Sequence, residues 1–212
     1  MKNIKNVLFS TLIVMLYFSW IILIQFNFNS DVSLKTNCTS LFLISVLFLC
    51  LFVLLFHKQL RNDCLQFFKE KYFQKVIMYF VFIISIFLIM TGILQMFGLS
   101  YYNNLSIIFK SFPGLILFNI LVFTPVVEEI VFRGAFRKAI SQKKLFIITS
   151  GVIYGLLHAI ILTQSFNALL MIIPFIALGL ILSYIYVKYE NLVVNIFVSF
   201  LFNISFLMIL VI

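Results

Sequence analysis

Residues 121–136 read LVFTPVVEEIVFRGAF. Apart from Thr124, Glu128, Glu129 and Arg133 the segment is apolar, and it overlaps the end of a longer apolar run at 112–132. A helix crosses a bilayer in about 20 residues, so this run is long enough to span one. Further apolar runs lie on both sides, at 7–28, 39–56, 76–97, 145–163, 166–187 and 191–212. Of the 212 residues, 64% are hydrophobic and 10% charged. A soluble domain is roughly 45–50% apolar and about 25% charged. A soluble globule of this size keeps too much surface in water to hide such a composition. The sequence therefore predicts an all-α, polytopic membrane protein of about seven transmembrane helices, with 1–212 as a single transmembrane domain. The first run follows Lys2 and Lys5 without a small-x-small cleavage pattern, which reads as an uncleaved first helix. The second, 39–56, is short.

Basic residues orient this array. Of the 15 Lys and Arg, all but Lys35 and Lys110 fall in alternate connections. Those connections hold Lys2 and Lys5; then Lys58, Arg61, Lys69, Lys71 and Lys75; then Arg133, Arg137, Lys138, Lys143 and Lys144; and lastly Lys188. Basic residues collect on the cytoplasmic side, so the N-terminus is expected inside. The net charge of +9 is then loop charge facing anionic lipid. Nucleic acid is not an expected partner, because no segment is long enough to fold a basic soluble face. Cys38, Cys50 and Cys64 lack the spacing of a disulfide framework. Cys50 is expected to pack inside its helix and Cys64 to sit in a basic loop. Asp31, Asp63, Glu70 and Glu190 read as loop charges, and His57 as a solvated flank residue.

Glu128 and Glu129 do not belong to loops. Each ionised carboxylate at mid-membrane costs about 2.5–3.5 kcal/mol on insertion scales. Arg133, four residues after Glu129 on the same helical face, offsets one of them. Glu128 has Phe132 at that position and no partner, which points to function. Pro125 removes a backbone N–H and crowds the carbonyl of Leu121 just before the pair. His158 is a second ionisable group at depth, in SGVIYGLLHAIILT. At about 1.5 Å per residue from the cytoplasmic helix ends, Glu128 and His158 lie roughly 17 and 20 Å in. Ser199 and Asn203, entering near Asn191, lie at about 12 and 18 Å. Gly151 and Gly155, with Ala159 following, give their helix a small face for close packing.

A carboxylate and an imidazole at one depth can take the proton of a water attacking a carbonyl. Ser199 and Asn203, four apart, could donate hydrogen bonds to the resulting oxyanion. No cofactor is expected, with zinc as the alternative. Zinc would find only Glu128, Glu129 and His158 as strong ligands at depth, and no HExxH is present. A transporter would call for inverted repeats and paired broken helices, and Pro174 is the nearest hint of one.

These residues carry a resemblance. TPVVEEIVFRGAF resembles the first motif, EExxxR followed by Gly, of the CPBP family of intramembrane proteases. That family groups type II CAAX prenyl proteases with bacteriocin-processing and immunity proteins, once called abortive-infection proteins. YGLLH resembles its FxxxH motif, with Tyr154 in the Phe position. NLVVNIFVSFLFN resembles the region where HxxxN is expected. The resemblance implies a protease-like core at 112–212, with Glu128 and His158 activating water. It implies a supporting pair in Glu129 and Arg133, and an oxyanion-stabilising Asn203. Ser199 stands where the family has histidine. Two readings follow: a glutamate-dependent endopeptidase acting on a membrane-associated peptide or protein, or a non-catalytic relative serving bacteriocin immunity or scaffolding. Both place the chain in a cell membrane as a multi-pass protein. The high Phe, Ile, Lys and Asn content points to an AT-rich, bacterial coding sequence.

Overall fold

A computed structural model describes residues 2–28, 34–97, 113–162, 170 and 172–211. Asp31, Lys110 and the side chains of Lys35, Cys38 and Ala159 lie outside the described residues. Seven helices follow one another among the described residues: α1 (Lys2–Phe28), α2 (Leu34–Lys69), α3 (Phe73–Met96), α4 (Pro113–Ala139), α5 (Lys143–Leu162), α6 (Ile172–Tyr189) and α7 (Leu192–Val211). Five helical stretches meet the length and hydropathy needed to cross a bilayer: Ile4–Leu23, Thr39–Lys69, Phe73–Met96, Pro113–Ala139 and Ile172–Tyr189. The chain is an all-α, polytopic membrane protein.

Each helix turns one stripe inward. In α1 that stripe is Ser10, Ile13, Tyr17 and Trp20, while Leu8, Leu12, Met15 and Ile22 are exposed. In α3 it is Val76, Tyr79, Ile83, Phe87, Thr91 and Leu94. The outward faces are as apolar as the inward ones, which suits a lipid solvent and would not suit water.

Contacts at one end show that the helices alternate in direction. Ser10 near the start of α1 donates to the carbonyl of Ala135 near the end of α4 at 2.7 Å. Gln59, late in α2, donates to the hydroxyl of Tyr186, late in α6. Lys188, at the end of α6, donates to the hydroxyl of Tyr79, early in α3. Arg137 of α4 lies over the ring of Phe146, early in α5. The basic residues therefore gather at one end of the bundle.

Three expectations are corrected. The second helix does not stop at 56 but runs to Lys69, so His57, Lys58, Arg61 and Lys69 are helical rather than looped. Residues 57–69 contain no Gly or Pro and include good helix formers, and Phe56, Asp63 and Phe67 extend the buried stripe. Asp63 is likewise no loop charge. It is buried, and its carboxylate accepts the N–H of Leu192 at 2.8 Å. Asn191 accepts from the N–H of Val194 at 3.1 Å and donates to the carbonyl of Asp63 at 2.8 Å. Together they cap α7, where unpaired N–H groups and the helix dipole favour an acidic partner. Cys50 is exposed on the outer face of α2 rather than packed inside.

Candidate active site

The site is built on α4, which is wound unevenly. Asn119–Phe123 and Ile130–Ala135 are π-helical, and Thr124–Glu129 between them is α-helical. Pro125 explains the first widened turn. The N–H of Thr124 bonds five residues back to the carbonyl of Asn119. In that register the missing N–H of Pro125 frees the carbonyl of Ile120, not that of Leu121 as α-helical spacing predicts. Asn203 of α7 takes it over, donating from Nδ2 at 2.8 Å. The second widened turn is supported in the same manner. Ser150 of α5 donates to the carbonyl of Phe132 at 2.7 Å, and Ser10 of α1 to that of Ala135. Backbone groups loosened from a helix inside a membrane need such partners, and here neighbouring helices supply them.

Glu129 and Arg133 lie at the centre, both fully buried. Arg133 Nη1 donates to Glu129 Oε1 at 3.1 Å, and Nη2 to the carbonyl of Gly179 in α6 at 3.1 Å. Its guanidinium also sits 4.8 Å from the ring centre of Tyr154. The second oxygen of Glu129 accepts from Nδ2 of Asn195 in α7 at 3.1 Å, and that nitrogen also reaches the carbonyl of Leu182 at 2.7 Å. Four helices thus meet on one ion pair. A buried pair is favourable when its remaining hydrogen-bonding capacity is filled in this way, and here Nε of Arg133 is the donor left without a partner among the described residues.

Glu128 faces the other way, into a cavity of about 190 Å³. Tyr17, Trp20, Thr124, His158, Phe175 and Asn203 are among the residues that line it. Oε1 of Glu128 accepts the hydroxyl of Tyr17 at 3.0 Å. Oε2 is buried, has no hydrogen-bond partner among the described residues, and lies 3.5 Å from Nε2 of His158. His158 is clamped between Tyr154 and Phe175, with ring centres 4.2 and 5.2 Å away. Its Nδ1 is 3.0 Å from the carbonyl of Tyr154. A carbonyl only accepts, so Nδ1 carries a proton, and in the neutral form of the ring Nε2 presents a lone pair. In that form two acceptors converge on one point.

Of the residues singled out from the sequence, the cavity gathers Glu128, His158 and Asn203. Glu129 and Arg133 lie behind it. Ser199 is buried at 2% exposure and is absent from the cavity lining. One helical turn separates it from Asn203, a rise of about 6 Å. Sequence reasoning passed over Tyr17, Thr124 and Asn195. Asn195 carried a readable signal, since it precedes Ser199 and Asn203 at intervals of four on one helical face. Tyr17 carried none, because nothing local ties a tyrosine in α1 to a carboxylate in α4.

Catalytic zinc takes three protein ligands and an open position. The cavity offers Glu128 and His158, and both oxygens of Glu129 are already occupied. The residues do not fit a zinc centre, and among the described residues no three His, Cys, Asp or Glu side chains come together to hold a metal ion.

Residues 110–205 match the family model for the type II CAAX prenyl endopeptidase Rce1-like proteins. No curated protein and no solved structure matches the chain. The matched stretch covers α4 to α6 and most of α7, the helices that carry Glu128, Glu129, Arg133, His158 and Asn203. Over these residues the chain is similar to type II CAAX prenyl endopeptidases, in line with the resemblance that its EExxxR-type run carries.

Proposed function

We propose that the protein is a multi-pass endopeptidase of a cell membrane, in which Glu128 and His158 activate a water molecule against a peptide bond. One observation carries this reading: Oε2 of Glu128 and Nε2 of His158, from different helices, converge at 3.5 Å on one buried cavity. Neither atom can donate to the other while the carboxylate is ionised and the imidazole neutral. Both can accept from a single water whose oxygen lies about 2.8 Å from each. As that oxygen attacks the carbonyl carbon, its proton passes to Glu128. The oxyanion accepts from Asn203, whose amide has a second hydrogen besides the one given to Ile120. Protonated Glu128 then returns the proton to the leaving nitrogen as the C–N bond breaks, which releases two peptides.

In this reading the protease-like core is 112–212 and the substrate is a membrane-associated peptide or protein, with a peptide pheromone or bacteriocin precursor the expected kind. The N-terminus is cytoplasmic. Purified protein in detergent, incubated with a membrane-peptide library, should cut a subset of peptides. Glu128→Gln should leave the unfolding temperature within a few degrees and abolish cutting, because an amide cannot take the proton. Cutting at the wild-type rate by that variant would end the glutamate mechanism.

A second reading has one observation in its favour. Ser199 replaces the family's histidine and does not line the cavity, which leaves Asn203 as the donor from α7. Loss of one oxyanion donor costs about 10²–10³ in rate. A non-catalytic relative that binds membrane peptides, as in immunity or scaffolding, would bind library peptides equally well as wild type and as Glu128→Gln, and cut none.

A further inference from the structure

The family match begins at residue 110, yet one of the two oxygens of Glu128 is held by a residue far outside it. Tyr17 is 2% exposed, and its hydroxyl donates to Oε1 at 3.0 Å. Its ring is fixed on three sides. It stacks on Trp20 at 5.8 Å, meets Phe132 edge-on at 5.7 Å and Phe18 at 6.4 Å. The helix bearing it is docked independently, since Ser10 on the same face bonds the carbonyl of Ala135 at 2.7 Å. Seven residues, two turns of α1, separate the two contacts. The titratable and charged groups around Glu128 are His158 and Tyr154 from α5, Glu129 and Arg133 from α4, and Tyr17 from α1. Arg133 is committed to Glu129 and to Gly179; the hydroxyl of Tyr154 also lies beside Glu128, and that of Tyr17 donates to Oε1 at 3.0 Å.

We propose that Tyr17 is the positioning residue of the site: its hydroxyl pins Oε1 of Glu128 and turns Oε2 towards His158. The inference deepens the protease reading and places part of the site on α1, outside the family-matched stretch. A hydrogen bond to the ionised form of a carboxylate favours that form. Bonds to charged groups are the stronger kind, and losing one shifts such an equilibrium about tenfold or more.

The test uses full-length protein in detergent and two readouts. The first is labelling of Glu128 by a hydrophobic carbodiimide, which attacks protonated carboxyl groups, with Glu128→Gln giving the background. Tyr17→Phe should label about tenfold faster than wild type. Ser10→Ala, which removes the other hydrogen bond between α1 and α4, should label within about twofold of wild type. The second readout is cleavage: Tyr17→Phe should lower kcat by about 10–100-fold and leave KM within about twofold. Unchanged labelling in Tyr17→Phe, an equal rise in Ser10→Ala, or an unchanged kcat would overturn the proposal. So would a Tyr17→Phe protein that fails to fold where Ser10→Ala folds, since the hydroxyl would then be holding the bundle and not the carboxylate. If wild type cuts nothing while the labelling contrast holds, the protease reading falls and the assignment of Tyr17 stands.

Discussion

Glu128 and Glu129 are neighbours in sequence with opposite circumstances. Glu129 has both oxygens filled, by Arg133 and Asn195, and is sealed from the cavity. Glu128 has one oxygen held by Tyr17 and the other open towards His158. The i,i+4 interval made the Glu129–Arg133 contact readable from the sequence. Tyr17 and Asn195 were not readable in the same sense, because their partners lie 111 and 66 residues away and only the folded helices join them. Removing one member of a buried pair strands the other charge, which is worse than removing both. Arg133→Leu should therefore cost about 3–5 kcal/mol and lower the yield of folded protein more than the double variant Glu129→Leu, Arg133→Leu. Size-exclusion profiles of the two variants in detergent would measure this, and equal yields would dismiss the pairing argument.

Elements were legible wherever they consist of long apolar runs, and their ends were not. No continuous apolar run marks residues 57–69, so the continuation of α2 is visible only once Asp63 and Phe67 are seen buried against α7 and its neighbours. The widened turns of α4 were equally hidden. A proline announces a missing N–H, but which carbonyl it leaves free depends on a winding that the sequence does not state. The small face of α5 could be read from Gly151 and Gly155, and it meets α6. A methyl group on Gly155 would lie 2.6 Å from the backbone nitrogen of Ile176, and one on Gly151 would lie 2.7 Å from that of Leu180. Backbone cannot move aside as a side chain can. Gly155→Leu should destabilise by an amount at the upper end of about 1–3 kcal/mol. Gly92→Ala, where nothing lies within 4 Å, should be stabilising by about 0.5–1 kcal/mol. Thermal unfolding in detergent would compare them.

For the whole molecule, the alternation of basic connections predicted an alternation of helix directions, and the contacts at the basic end have that arrangement. The turn between α2 and α3 is tight. Lys71 adopts a left-handed conformation at φ 51, and the N–H of Tyr72 reaches back to the carbonyl of Phe67. Such a closure turns the chain back, and α3 returns antiparallel to α2, packed against α6 and α7. A reporter inserted at Lys71 and one fused to the N-terminus should therefore label from the same side of the membrane, the cytoplasmic one, and a reporter after Ile212 from the other. Two labels of opposite sidedness at Lys71 and the N-terminus would overturn the orientation. The widened turn at Asn119–Phe123 has a further consequence for how this chain can change. Such a turn holds one residue more than an α-helix needs, so deleting any one residue there would heal the ladder locally. An α-helix turns about 100° per residue and a widened turn less, so the two halves of α4 would keep nearly the same faces. With one of residues 121–123 removed, Ile120 would stand four before Pro125, where its carbonyl is still the one left free for Asn203. The segment therefore tolerates the loss of one residue as well as substitution, and sequence comparisons across this stretch should admit a single-residue gap.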